Sequence, residues 1–236
     1  MATFSEIQTK VQTWLRDFPT DTLAEIPSLI NDSQRELQRQ HNFRVMEAVV
    51  SLTTVDATND LGTIADFKEP RADPFWTDLD GGTTPFDWQP SLDYLVQRYQ
   101  ADSEGSPKYL YWEETSGAGV AGIQVFPLSD GLSQHPGGQY PITIPYWKFL
   151  PALSGAGDTN WFTIFGDKYL RLHAVGWGHM LNLDEDRAGP YLRAADIEAQ
   201  LIIRADKLTR VKRPNVFRYS VNAGNQMGRQ INWRLP

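Results

Sequence analysis

Glycine and proline crowd into the middle of this 236-residue chain: the 104 residues from Ala57 to Asn160 hold 12 of its 18 glycines and 10 of its 15 prolines. Neither suits a helix interior, glycine for the backbone entropy it loses and proline for its missing N–H and its clash with the preceding turn. Long helices are therefore confined to the two flanks, and the middle to strands and turns.

Both flanks carry helical periodicity. Phe4, Ile7, Val11 and Trp14 with Leu15 step by three and four, which gives one apolar face. Phe18 and Pro19 end that helix. Pro27 suits the first turn of a second helix, with Ile26, Leu29, Ile30, Ser33 and Leu37 on one side and Gln34, Arg35, Glu36, Gln38, Arg39 and Gln40 on the other. Beyond the middle, Phe162, Phe165, Tyr169, Leu172, Val175 and Met180 recur at helical spacing. Gly176 and Gly178 in that run each cost roughly 1 kcal/mol against alanine and are tolerable where another backbone approaches closely. Residues 184–189 read as a turn. Pro190 then opens a fourth helix whose stripe is Ala194, Ile197, Leu201, Ala205 and Leu208.

Between the flanks, alternation from Phe43 to Val55 reads as a strand leaving the helical layer. Ser91 caps a short helix over 92–99. Tyr109 to Trp112, Val120 to Phe126 and Tyr140 to Phe149 read as strands, and Pro141 with Pro145 places the last at a sheet edge. Residues 154–158 read as a flexible joint back to helix. Four amphipathic helices flanking such a segment bury their stripes against one another. The expected fold class is α+β: a four-helix bundle of residues 1–43 and 160–210, a nested β-rich domain of residues 44–159, and an extended C-terminal arm of residues 211–236.

Charge divides unevenly. The formal net charge is −7, yet from Lys207 to Pro236 there are seven basic residues and no acidic one. The preceding 206 residues hold 15 basic groups against all 29 acidic ones, a net of −14. The arm therefore suits an acidic partner, nucleic acid or protein. Val216, Phe217, Tyr219, Val221, Met227, Ile231, Trp233 and Leu235 are interspersed along it. Aromatic residues in an extended peptide serve as anchors on a partner's surface, a use that mere solvation does not require.

Little in the sequence asks for catalysis. There is no cysteine, which removes disulfides, thiol nucleophiles and cysteine zinc sites. No apolar run reaches the ~18–20 residues of a membrane helix, and residues 1–10 lack a secretion-signal profile. His41, His135, His173 and His179 read as core or surface histidines, the last two being six apart where a shared metal on one helical face needs four. Residues 117–122 match G-x-G-x-x-G in letters but precede a strand-like run, which makes them a hairpin turn. Asp184, Glu185 and Asp186 lack the spaced oxygens of a calcium loop. Glu113 and Glu114 beside Trp112, or Asp66 and Glu69 near Phe75 and Trp76, are the pairs on which a two-carboxylate glycosidase could rest. No enzyme activity, cofactor or metal is expected.

The flanks resemble the head-to-tail adaptor proteins of tailed bacteriophages, in particular the short-tailed ones. The matching features are the opening Phe4-Ser5-Glu6-Ile7 with Val11, Trp14 and Leu15; Ile26-Pro27-Ser28-Leu29-Ile30; the polar run Ser33-Gln34-Arg35-Glu36-Leu37; and Arg44-Val45-Met46-Glu47. In the second half they are the strand Tyr140 to Trp147, Leu150-Pro151-Ala152-Leu153-Ser154, Thr159 to Phe162, Tyr169-Leu170, and the acidic turn at 184–188 before a final helix. The resemblance implies a non-enzymatic virion part. Such adaptors form a ring, commonly of twelve copies, beneath the portal protein; they continue the DNA channel and dock a downstream nozzle or tail-tube protein. It also implies assembly in the host bacterial cytoplasm and a place in the phage neck. The C-terminal segment of such adaptors embraces the portal, which makes Phe217, Arg218, Tyr219, Met227, Arg229, Ile231, Trp233, Arg234 and Leu235 the candidate portal-binding residues. An acidic channel wall would let genomic DNA slide without sequence-specific binding. Gly176, Gly178, Ala194, Ala195 and Ala199 would suit either a neighbouring copy or helix contacts within the chain. The alternatives are a virion-associated cell-wall hydrolase, another neck or tail-tube ring component, and a DNA-binding protein acting through its basic arm.

Overall fold

Thr3 starts the first helix, α1 (Phe4–Trp14), through a capping box: its hydroxyl accepts the Glu6 N–H and the Glu6 carboxylate accepts the Thr3 N–H. The computed structural model describes residues 2–55, 58–77, 81–99, 104–114, 119–129 and 139–211. After α1 come a short α2 (Thr20–Ala24) and α3 (Ile26–Gln40), with Pro27 in its first turn as expected. A 3-10 turn (Arg44–Met46) then delivers the chain into β1 (Glu47–Thr53). The strands β2 (Asp60–Ile64), β3 (Phe67–Pro70), β4 (Phe75–Thr77), β5 (Thr83–Pro85) and β6 (Asp87–Trp88) precede the helix α4 (Leu92–Arg98), which Ser91 caps. Then follow β7 (Glu104–Gly105), β8 (Tyr109–Glu114), β9 (Ala121–Phe126), β10 (Leu128–Ser129) and β11 (Pro141–Lys148). The chain closes on α5 (Trp161–Phe165), α6 (Asp167–Leu181) and α7 (Glu185–Val211).

The strands make a five-stranded sheet, β1-β11-β4-β5 with β3 also on β11, and a four-stranded sheet, β2-β9-β8-β6; β7 and β10 pair on their own. One apolar cluster lies between the two large sheets. Ile142, Ile144, Tyr146 and Phe67 come from the first, and Leu61, Ile64, Leu110, Ile123 and Val125 from the second. β8 and β9 pair antiparallel, as a hairpin over 117–122 requires; residues 117 and 118 of that turn lie outside the described residues, and Gly119 has φ +78°. A Cβ there would lie 3.0 Å from the Phe149 ring and 3.3 Å from the Phe67 carbonyl, so the position takes glycine.

The expected edge strand proves to be central: β11 pairs with β1 on one side and with β3 and β4 on the other. Its prolines are tolerated for a local reason. The Pro145 carbonyl accepts the Arg71 N–H at 3.1 Å, so its nitrogen faces the same side, at the break between β3 and β4 where no ladder partner stands. Pro141 is the first residue of the strand.

A second apolar cluster belongs to the helices. Ile7, Val11 and Leu15, then Ile30 and Leu37, then Leu170, Ala174 and Val175, then Ala195, Ala199 and Ile202 meet with Phe43 and Met46. The arrangement is less symmetrical than the expected four-helix bundle: α6 packs against α1, α3 and α7, and α7 lies mainly on α6. The last two helices also differ from expectation. The run from Phe162 breaks at Gly166 into α5 and α6. α7 begins at Glu185, so residues 185–189 are its first turn and Pro190 sits inside it. The Asp184 carboxylate accepts the Arg187 N–H, and Pro190 removes one early backbone bond.

The small residues act within the chain. A Cβ on Gly176 would lie 2.6 Å from Leu192 Cδ2, and one on Gly178 would lie 2.6 Å from Leu15 Cδ1. Gly176 thus admits α7 and Gly178 admits α1, while Ala195 and Ala199 are buried. The joint at 154–158 is a structured loop: the Asp158 carboxylate accepts the N–H groups of Ser154 at 2.9 Å and Gly155 at 2.7 Å, bonds that lower its pKa. The carbonyls of Ala156 and Asp158 accept the Ser5 and Phe4 N–H groups, two of the orphan donors at the start of α1.

One polar network runs through the helix core. The Ser33 hydroxyl donates to the Leu29 carbonyl at 2.6 Å, so the His173 Nδ1–H must donate to Ser33 Oγ, 2.9 Å away. His173 Nε2 then accepts the Trp177 indole N–H at 3.3 Å. Burial holds the His173 pKa below its ordinary value, against the opposing pull of Glu36 and Asp196.

Three predictions follow from this packing. Gly178→Ala should cost about 1–3 kcal/mol in denaturant unfolding despite alanine's better helix propensity, because Leu15 is fully buried and has nowhere to move; an unchanged midpoint would disprove the close approach. Leu183 holds φ 58° at the end of α6 with its side chain 88% exposed, so Leu183→Gly should add about 0.5–1 kcal/mol. Since the folded His173 pKa lies below the unfolded one, its contribution is complete above about pH 6.5 and is lost as the pH falls through the folded value. His173→Gln should therefore flatten the acid side of a Tm-against-pH curve, and equal slopes would show that His173 plays no part.

Candidate functional site

The outer surface of α7 is where structure and sequence part most sharply. Ala188, Ala195, Ala199, Ile202 and Asp206 face inward, buried on the rest of the helix layer. The stripe read from the sequence faces the other way: Ile197 is 63% exposed, Leu201 54% and Leu208 54%, with Ala205 also exposed. A helix apolar on two faces is built to lie between two layers, and only one of these is supplied by the described residues.

Beside this stripe lies a groove of about 850 Å³, bounded by α7, α5 and the 3-10 turn. Val45, Trp161, Phe165, Leu201, Ala205 and Thr209 supply most of its walls. Trp161 is fixed from behind by Phe43, with ring centres 5.1 Å apart, and it leans on Phe165 at 5.4 Å. The charged lining consists of Arg44, Glu198 and Asp206. Asp206 also ties the elements together: its carboxylate is 3.2 Å from His41 Nε2 and accepts the Arg44 N–H at 3.2 Å. Glu198 pairs with Lys168. Exposed Leu, Ile and Phe around a concave surface form the kind of patch that marks an interaction site.

The carboxylates weighed for hydrolysis lie elsewhere. The Glu114 carboxylate accepts the Gly119 N–H at 3.3 Å, and Glu114 and Asp66 both act on the Arg35 guanidinium, which stacks 3.6 Å above the Phe149 ring. Burial lowers the Arg35 pKa, with Arg39 adding to the effect and the two carboxylates opposing it. Glu69 accepts from the Asn42 amide, while Lys68 donates to the Gln38 carbonyl at 2.5 Å and to the Asn42 amide oxygen at 2.6 Å. These groups join the C-terminal end of α3 to the sheets. Glu113 is exposed. Among the described residues, no group of three or more His, Asp or Glu is placed to hold a metal ion, and no helix is long and apolar enough to cross a membrane.

The arm residues Phe217, Arg218, Tyr219, Met227, Arg229, Ile231, Trp233, Arg234 and Leu235 lie outside the described residues, as does His135. What sequence reasoning missed is the groove. Its walls come from three separated segments, and only the mismatch of two apolar stripes on α7 could have hinted at it.

No curated protein matches the chain. The family model described as SU10 adaptor protein matches residues 2–221. That match takes in both helical flanks, both sheets and the whole of α7, with its outward apolar face and the groove beside it. The chain accordingly belongs to the SU10 adaptor protein family, structural head-to-tail adaptors of bacteriophage virions.

Proposed function

We propose that this chain assembles into a dodecameric ring in the phage neck, docks beneath the portal protein and presents its far side to a downstream nozzle or tail-tube protein. The observation that carries this reading is the family match across residues 2–221. In this reading the helices close as a bundle against neighbouring copies, and residues 44–159 form a nested β-rich domain. The charge division supports it from the sequence side. A body with net charge −14 over residues 1–206 gives the ring an acidic lumen that repels phosphates, so DNA passes without being held. The arm over 211–236, with its basic and aromatic residues, makes the portal contact, and Phe217, Arg218, Tyr219, Met227, Arg229, Ile231, Trp233, Arg234 and Leu235 are its candidate anchors.

Co-sedimentation with the portal ring of the same phage tests this, comparing the full chain with a truncation after Arg210. Full-length protein should saturate at about one copy per portal subunit. Truncation should weaken binding by at least tenfold, about 1.4 kcal/mol. Full-length protein that stays in the supernatant would overturn the reading.

A further inference from the structure

We propose that the groove between α7, α5 and the 3-10 turn is the seat of this chain's own residues 216–221, with Phe217 and Tyr219 as its anchors. The groove is a concave apolar site of about 850 Å³, within the size range of sites that enclose a ligand. Leaving it open keeps Phe165 64% exposed and Leu201 54% exposed.

Position favours this occupant. Thr209 lines the groove, and Val211, two residues later, is the last described residue of α7. The next residues are Lys212, Arg213, Pro214 and Asn215, a proline-asparagine pair of the kind that stops a helix and reverses the chain. From Val211 to Phe217 an extended chain covers roughly 20 Å. The distance back along α7 from Val211 to Leu201 is about 15 Å. The segment is long enough to reach the groove.

Pattern and charge favour it as well. Phe217, Tyr219 and Val221 alternate with Arg218, Ser220 and Asn222, so an extended strand would turn its apolar side to the Trp161, Phe165 and Leu201 walls. Its polar side carries Arg218, in a segment with five basic residues and no acidic one from 212 to 236, toward a rim with two carboxylates, Glu198 and Asp206, and one cation, Arg44. The family match also continues past the end of α7 and stops at residue 221, which separates this stretch from the residues beyond it. Seating residues 216–221 on the body withdraws Phe217, Arg218 and Tyr219 from the portal contact proposed above and leaves that contact to Met227, Arg229, Ile231, Trp233, Arg234 and Leu235; the inference holds whether or not those distal residues meet a portal.

Hydrogen–deuterium exchange on the full-length protein tests it, comparing wild type with Leu201→Asp in the groove wall and Phe217→Asp on the segment. In wild type, amides over 216–222 should exchange at least about tenfold more slowly than an unprotected peptide. Either substitution should return them to the unprotected rate while α3 amides keep their protection. If Leu201→Asp also loosens α3, Phe217→Asp decides, since it alters no residue of the helix core. Three results would overturn the proposal: wild-type exchange at the unprotected rate, protection that survives Phe217→Asp, or protection that appears only at high protein concentration. The last would give the groove to a segment of a second copy.

Discussion

Three amide side chains on one face of α3 hold the path by which the chain returns from its sheets to its helices. Asn31 binds Leu153 twice, donating to the carbonyl at 3.0 Å and accepting the N–H at 2.8 Å. Gln34 donates to the Pro151 carbonyl at 3.0 Å, and Gln38 accepts the Leu150 N–H at 2.6 Å. Asn160 then donates to Gln34 at 2.6 Å and caps α5 with its own side-chain oxygen. Leu150 and Leu153 are buried, and a buried backbone group left unpaired would cost about 1–3 kcal/mol. The position of α5 rests on this clasp, and through α5 so does the register of everything after it.

The sequence showed the spacing of these residues without showing their surroundings. Gln34 and Gln38 read as the solvent side of an amphipathic helix, yet they are 2% and 0% exposed. A glutamine face is ambiguous by nature: its amide is as satisfied by backbone as by water. The long helices, the Ser91 cap and the strands β1, β8, β9 and β11 were legible, because period and capping chemistry are local; α2 and the shorter strands were not. The central place of β11 was not. Its prolines argue for an edge unless the Arg71 bond and the break between β3 and β4 are known, and both depend on chain far away in sequence.

α7 shows the same limit in its most informative form. Its periodicity is plain, but two apolar stripes share the helix, and from sequence the one with the larger residues reads as the buried one. Packing decides otherwise. Gly176 leaves room on α6 for the Leu192 side chain of α7, and Ala188, Ala195 and Ala199 are buried along the inward side of the helix. Ile197, Leu201 and Leu208 lie on the opposite side and face outward. The same glycine that costs helix propensity therefore lets α7 settle on α6.

That consequence links stability to assembly. An adaptor has to remain soluble before it meets its neighbours and yet present apolar surface once it does. A long helix glued to the body by alanines and glycines, with its isoleucine and leucines turned outward, meets the second need at the expense of the first. The acidic body compensates through charge, keeping copies apart in solution. The basic, aromatic sequence that follows α7 is the part of the chain with the opposite charge and matching apolar content, and it emerges beside the exposed stripe. With residues 216–221 seated in the groove as proposed, whatever finally covers that stripe would have to displace or incorporate them.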